Sequence, residues 1–263
     1  DYITVQETWM AIPGKETVSR LINYHSVSGN RLRRYMDEMR RGVAAFPANE
    51  FNKKAMNELV AMLDREVPES ISGGTILDVG CGDGYTLSRI NEKYSNKNLL
   101  GVSVCRGDID LAKKLHSIAV RFGDMNDLPC KKNSVDTIIT RHCLEHSPMP
   151  LFSLMEMYRV MRPGSGVLAV VLPANTPYWI EFDGHFHCMP KENWLCLFEI
   201  AGFEVVYQES GSWFARATNS DELEWRFILR PIADEKYSRA YRGFYRDWIG
   251  EFIQNIRRSF TSH

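Results

Sequence analysis

Charge of one sign is what this 263-residue chain lacks most plainly: 32 Lys and Arg residues against 33 Asp and Glu leave a formal charge of −1. That argues against a strongly basic nucleic-acid binder, although it leaves room for a local patch. Long apolar runs are missing too, so no segment reads as a membrane span. The first residues, Asp1-Tyr2-Ile3-Thr4, have neither the basic start nor the apolar core of a signal peptide. The 6 cysteines (Cys81, Cys105, Cys130, Cys143, Cys188 and Cys196) include no C-x-x-C pair. They read as scattered cytosolic thiols rather than a disulfide framework or a zinc site. Repeats and low-complexity tracts are absent. The expectation is a cytoplasmic protein with one large domain plus additions, able to bury a substantial core.

What is there is organised around Ile76-Leu77-Asp78-Val79-Gly80-Cys81-Gly82-Asp83-Gly84-Tyr85. An apolar run ends in an acid, a glycine-rich turn follows, and an amphipathic stretch begins. This reads as strand, tight loop and helix start. Alternate glycines let the backbone bend sharply and let a ligand lie against bare main chain. N–H groups at a helix start suit a carboxylate or phosphate. A dinucleotide fingerprint would need a third glycine where Tyr85 stands.

From about residue 74 to 218 apolar runs alternate with helical patterns: strands are expected at 99–104, 119–122, 135–140 and 167–172, with helices at 108–117, 151–161 and 193–201. Two further β-rich runs follow, at 203–207 and 213–218. Such alternation predicts an α/β fold with a doubly wound sheet. The domains expected are a helical N-terminal cap at 1–70, a core at 71–220 and a helical C-terminal extension at 221–263. Residues 49–66 carry apolar side chains at helical spacing. In the tail, Tyr237, Tyr241, Phe244, Tyr245, Trp248, Phe252 and Ile256 recur every three or four residues. That aromatic helix face packs on the chain's own domain, walls a substrate pocket or mediates a homodimer.

The acidic-x-Gly-x-Gly-x-Gly loop resembles motif I of the class I S-adenosylmethionine (SAM) dependent methyltransferases. The resemblance runs from Ile76 to Pro173 and is similar to the small-molecule, ubiquinone-biosynthesis type. It implies a Rossmann-like sheet of seven strands whose last hairpin is antiparallel. It also implies SAM as cofactor and S-adenosylhomocysteine as product. Asp78 would face the amino group of SAM; Gly80, Cys81 and Gly82 would lie against its methionyl part. Ser103 stands at the end of the second strand, where the family usually has Asp or Glu on the ribose. A hydroxyl cannot clamp two ribose oxygens as a carboxylate does, and Arg106 or Asp108 could supply the missing contact. Asp124 would accept from the adenine amine with Met125 beside the ring, and main chain near Arg141 would line the methionyl end.

His142, in the His-x-Leu-Glu-His-like segment Arg141-His142-Cys143-Leu144-Glu145-His146, would face the reaction centre. Glu145 and His146 would be structural. Methyl transfer needs a base only when the acceptor must lose a proton, and histidine suits that role. In Asp183-Gly184-His185-Phe186-His187, alternate spacing would put Asp183, His185 and His187 on one face. The histidines then line the pocket, act as base or hold a divalent ion, and no metal is expected. A small-molecule acceptor is expected. Position 141–144 lacks the Asn/Asp-Pro-Pro-aromatic signature of amino-directed nucleic-acid methyltransferases, and Pro129-Cys130 precedes the fourth strand. Arg31, Arg33, Arg34, Arg40 and Arg41 keep an RNA substrate as an alternative, and a non-catalytic SAM-binding subunit is another.

Overall fold

The computed structural model describes residues 47–95, 98–180, 185–211 and 224–232. The chain divides into two compact units, Asp1–Pro231 and Ile232–His263. The described residues lie almost wholly in the first, so the aromatic helix face falls outside them, as do residues 1–46.

Seven strands form one sheet: β1 (Ile76–Val79), β2 (Leu99–Ser103), β3 (Val120–Phe122), β4 (Thr137–Arg141), β5 (Val167–Pro173), β6 (Phe203–Gly211) and β7 (Glu224–Pro231). Their order is β3-β2-β1-β4-β5-β7-β6. The first five are parallel, and β7 runs antiparallel to both β5 and β6. The expected Rossmann-like α/β sheet with an antiparallel last hairpin is therefore present. The hairpin's second strand differs from the expectation: the core runs on to Pro231 rather than ending at 220, and the run at 213–218 lies outside the described residues.

The helices are α1 (Glu50–Glu66), α2 (Pro68–Ser72), α3 (Tyr85–Tyr94), α4 (Arg106–His116), α5 (Pro150–Val160), α6 (Pro177–Ile180) and α7 (Lys191–Ile200), with a 3₁₀ turn at Leu144–His146. Asn49 caps α1, its side chain accepting from the Asn52 N–H. The sheet is covered on both faces, which is why β1 and β5 are buried along their whole length. The pleat sorts their side chains. Leu77, Val79, Leu168 and Val170 pack with Leu154, Trp194 and Phe198 of α5 and α7. Ile76, Val167, Ala169 and Val171 pack with Leu59, Leu63, Ile71, Leu87 and Ile90 of α1, α2 and α3.

β1 lies between β2 and β4, with Val79 level with Val102 on one side and Thr140 on the other. The loops after β1, β2 and β4 consequently leave one edge together. Strand order reverses direction between β1 and β4, the place where open α/β sheets bind ligands.

Candidate active site

The loop after β1 is built from three left-handed glycines, Gly80 (φ 79°), Gly82 (φ 53°) and Gly84 (φ 80°). They serve different ends. A Cβ on Gly80 would sit 2.6 Å from Cys143 Sγ, so that glycine allows close packing against the β4 loop. A Cβ on Gly82 would meet nothing within 4 Å. The Gly80 and Cys81 N–H groups both donate to the Val102 carbonyl, at 2.9 and 3.3 Å. Those of Gly82 and Asp83 make no hydrogen bond among the described residues. The donors available to a ligand are therefore Gly82 and Asp83, one step later in the loop than Gly80 and Cys81. Cys81 is buried, its thiol filling the space that Gly101 leaves by having no side chain. Burial drives that thiol's pKa far up, so Cys81 contributes packing rather than chemistry. Asp83 holds the loop to α3, its carboxylate accepting from the N–H groups of Tyr85 and Ala48.

Asp78 shares the sheet face of Ile76 and is 4% exposed. Its carboxyl makes no hydrogen bond among the described residues; burial and, secondarily, the charge of Asp83 push it up to about 7 despite the nearby Arg141. A buried carboxyl without donors is a site that wants a cation.

Ser103 is already engaged. Its hydroxyl donates to Asp108 Oδ2 at 2.6 Å and accepts from the Cys105 N–H at 3.0 Å. The carboxylate missing from the end of β2 is thus brought up by the first turn of α4. Burial raises the Asp108 pKa, against the pull of the Ser103 hydrogen bond. Arg106 turns elsewhere, stacking its guanidinium 4.9 Å from the Phe122 ring centroid. Asp124 holds its own turn: Oδ1 accepts from both the main-chain N–H and the side-chain amide of Asn126, at 2.7 and 2.8 Å. Met125 is buried in the core beside it.

After β4 the chain makes a left-handed residue at His142 (φ 46°), a conformation non-glycine residues rarely adopt. Its Nε2 donates to Glu224 Oε1 at 2.6 Å. Arg141 reaches the same oxygen at 3.3 Å, and Arg226 approaches Glu224 Oε2 at 3.7 Å. Burial would raise Glu224, but the His142 hydrogen bond and these charges hold it down at about 2. Burial lowers the His142 pKa more than Glu224 raises it. The pair is a neutral imidazole oriented by a carboxylate, and the Trp179 ring lies 5.0 Å away. Glu224 had no signal in the sequence. It sits on a strand that reads as part of the tail, 82 residues from its partner.

The histidines at 185 and 187 have different partners. His185 is buried, with Nδ1 3.0 Å from the Trp179 carbonyl and Nε2 3.8 Å from Glu145 Oε1. Burial lowers its pKa to about 4. His187 is buried with Nε2 at the Pro148 carbonyl, 3.4 Å away. Asp183 lies outside the described residues. Both histidines are strapped to the β4 loop because the Glu145 carbonyl accepts from the N–H groups of Phe186 and His187.

Residues 77–169 match the protein family described as a methyltransferase domain. That stretch of the chain is similar to a methyltransferase domain. A 2-methyl-6-phytyl-1,4-hydroquinone methyltransferase from Oryza sativa is 28% identical over 140 residues, covering 51% of this chain and 42% of that protein. The chain spans half or less of the length of the first curated relatives it matches. Among solved structures, a geranyl diphosphate C-methyltransferase from Streptomyces coelicolor matches with TM-score 0.55 and 13% identity, over 71% of this chain and 86% of that one. It was solved with S-adenosyl-L-homocysteine. The [4+2]-cyclase SpnF matches with TM-score 0.57 and 18% identity, over 77% of this chain and 93% of that one. These likenesses concern the fold. The matched stretch contains the glycine loop, Ser103, Asp124, Arg141 and His142, but not His185 or Glu224.

Proposed function

We propose that this protein transfers a methyl group from SAM to an oxygen, nitrogen or carbon atom of a small molecule. The observation that carries the reading is the pairing of two opposite needs at the end of β1. Gly82 and Asp83 offer unpaired N–H groups beside open space, and Asp78, one strand-end away, is a buried carboxyl without a donor. SAM has a carboxylate and an ammonium on one carbon, so the residues present fit it.

Bound SAM supplies an activated methyl on a sulfonium, which leaves the protein chiefly to position and to exclude water. Asp78 holds the ammonium, and the Gly82 and Asp83 N–H groups hold the carboxylate. Asp108, steadied by Ser103, takes the ribose side. Asp124 and Met125 take the adenine side. His142, oriented by Glu224, stands with Trp179 on the acceptor side. The balance of charge and the sequence at 141–144 favour a small acceptor over RNA. The name of the hydroquinone methyltransferase relative makes a quinol or similar ring a reasonable first acceptor to try. None of the cysteines is in a disulfide, which suits a reducing compartment such as the cytoplasm.

The test is turnover with methyl-labelled SAM on a panel of phenols, quinols, carboxylic acids, amines and a bulk RNA fraction. Label in a small acceptor, with stoichiometric S-adenosylhomocysteine, is expected. Label in RNA alone would replace the acceptor class. SAM binding with no transfer across the panel would favour a SAM-binding subunit.

A further inference from the structure

Behind the β4 loop lies a group of side chains that methyl transfer does not require. Glu145 is fully buried in the 3₁₀ turn, and among the described residues neither of its carboxyl oxygens has a hydrogen-bond partner. Burial drives its pKa up to about 8. Its Oε1 faces His142 Nδ1 at 3.5 Å and His185 Nε2 at 3.8 Å, both beyond good hydrogen-bond length. One donor-type atom from each of Glu145, His146 and His185 lies within 4.8 Å of the others.

The protons are fixed from outside this group. The Trp179 carbonyl can only accept, so His185 Nδ1 carries the hydrogen and Nε2 turns a lone pair inward. Glu224 fixes His142 in the same way, with Nε2–H outward and the Nδ1 lone pair inward. His185 Nε2 and His142 Nδ1 thus both turn lone pairs toward the Glu145 carboxyl, at 3.8 and 3.5 Å. A buried polar group in that position costs free energy unless something positive completes it. An outer carbonyl on the far nitrogen is also how metal-ligating histidines are held.

We propose that Glu145, His146 and His185 bind a divalent transition-metal ion of the zinc or iron(II) type. Metal–ligand bonds of about 2.0–2.2 Å allow two ligand atoms to lie up to about 4.2 Å apart. The Glu145–His185 separation of 3.8 Å already meets that limit, and the ligand atom of the half-buried His146 lies within 4.8 Å of both. Two imidazoles and one carboxylate favour zinc, iron(II) or cobalt over magnesium or calcium. Three protein ligands leave positions for water or an acceptor atom. The proposal stands whether or not SAM is the cofactor.

The test uses the full chain, stripped with chelator and titrated with Co²⁺ alone, read by visible d–d absorption and by metal analysis after desalting. Binding of about one equivalent is expected. Glu145→Gln and His185→Ala should each weaken it at least about 30-fold, beyond the low end of outer-shell effects. Cys130→Ser should leave it unchanged. Glu145→Gln keeps the side chain's shape, and its far-UV circular dichroism establishes folding should His185→Ala not fold. Less than about a tenth of an equivalent bound by the wild type would overturn the proposal. So would full binding retained by folded Glu145→Gln.

Discussion

Asp78 gives the residue scale its sharpest prediction. Its folded pKa of about 7 stands well above the unfolded aspartate value of about 3.9. Without ligand, this group's contribution to stability is fully present below about pH 4 and is lost as pH rises through about 7. A bound ammonium reverses the balance by favouring the ionised form. SAM affinity should therefore rise between pH 5.5 and 7.5, by up to about tenfold per unit below the midpoint. The thermal shift produced by SAM should grow over the same interval. Calorimetry at several pH values checks this; a flat profile in the wild type, equal to that of Asp78→Asn, would remove the carboxylate from the cofactor site. Asp124 tests the adenine side. Asp124→Ala should weaken SAM binding by about 1–3 kcal/mol, the cost of losing a buried hydrogen-bond partner. Because Oδ1 also holds Asn126, Asn126→Ala is the comparison. Equal losses in both variants would mean that the turn's shape matters and that Asp124 does not touch adenine.

Elements position these residues through two seams. At the β1–β2 seam, a Cβ on Gly101 would lie 2.5 Å from Cys81 Sγ and 2.9 Å from Val120 Cγ2. Gly101→Ala should cost about 1–3 kcal/mol by overpacking, and adding Cys81→Ala should recover part of it, measured by chemical denaturation. No recovery would mean the thiol is not the obstacle. At the β5–β7 seam, Glu224 is the shared counter-charge of Arg141 and Arg226 and the hydrogen-bond acceptor of His142. Glu224→Gln should lower the melting temperature and reduce turnover far more than it changes SAM affinity, because it releases His142 rather than the cofactor. A variant with wild-type turnover would leave His142 without a positioning role.

The same seam explains what was legible in the sequence. The parallel strands β1, β4 and β5 are apolar runs, and the glycine loop announces its own geometry, so the core and the cofactor side could be read directly. β7 could not. Glu224, Arg226 and Arg230 make it look like surface, whereas Glu224 and Arg226 are buried and satisfy each other's neighbours across the sheet. Glu145 was hidden for a related reason: its local pattern suits a cap, and only the fold reveals that its oxygens have no hydrogen-bond partner among the described residues. The Ser103 hydroxyl, expected beside the ribose, is held by the Asp108 hydrogen bond, and the Cys81 thiol packs against Gly101, neither of which the local pattern announces.

At the scale of the whole molecule, no helix among the described residues is long and apolar enough to cross a membrane. In the reading proposed above, residues 77–169 hold the cofactor, and residues beyond them, His185 and Glu224 among them, shape the acceptor side. Cofactor binding in this reading requires a ligand lying against bare main chain at Gly82. The most direct measurement is isothermal titration of the full chain and of Gly82→Val with SAM. The variant adds a branched side chain in the open space, on a backbone whose positive φ it tolerates poorly. The wild type should bind at one site in the micromolar range, about −8 kcal/mol. Gly82→Val, still folded by circular dichroism, should lose at least about tenfold in affinity, or about 1.4 kcal/mol. Undiminished binding by the folded variant, or no binding by the wild type, would contradict the account.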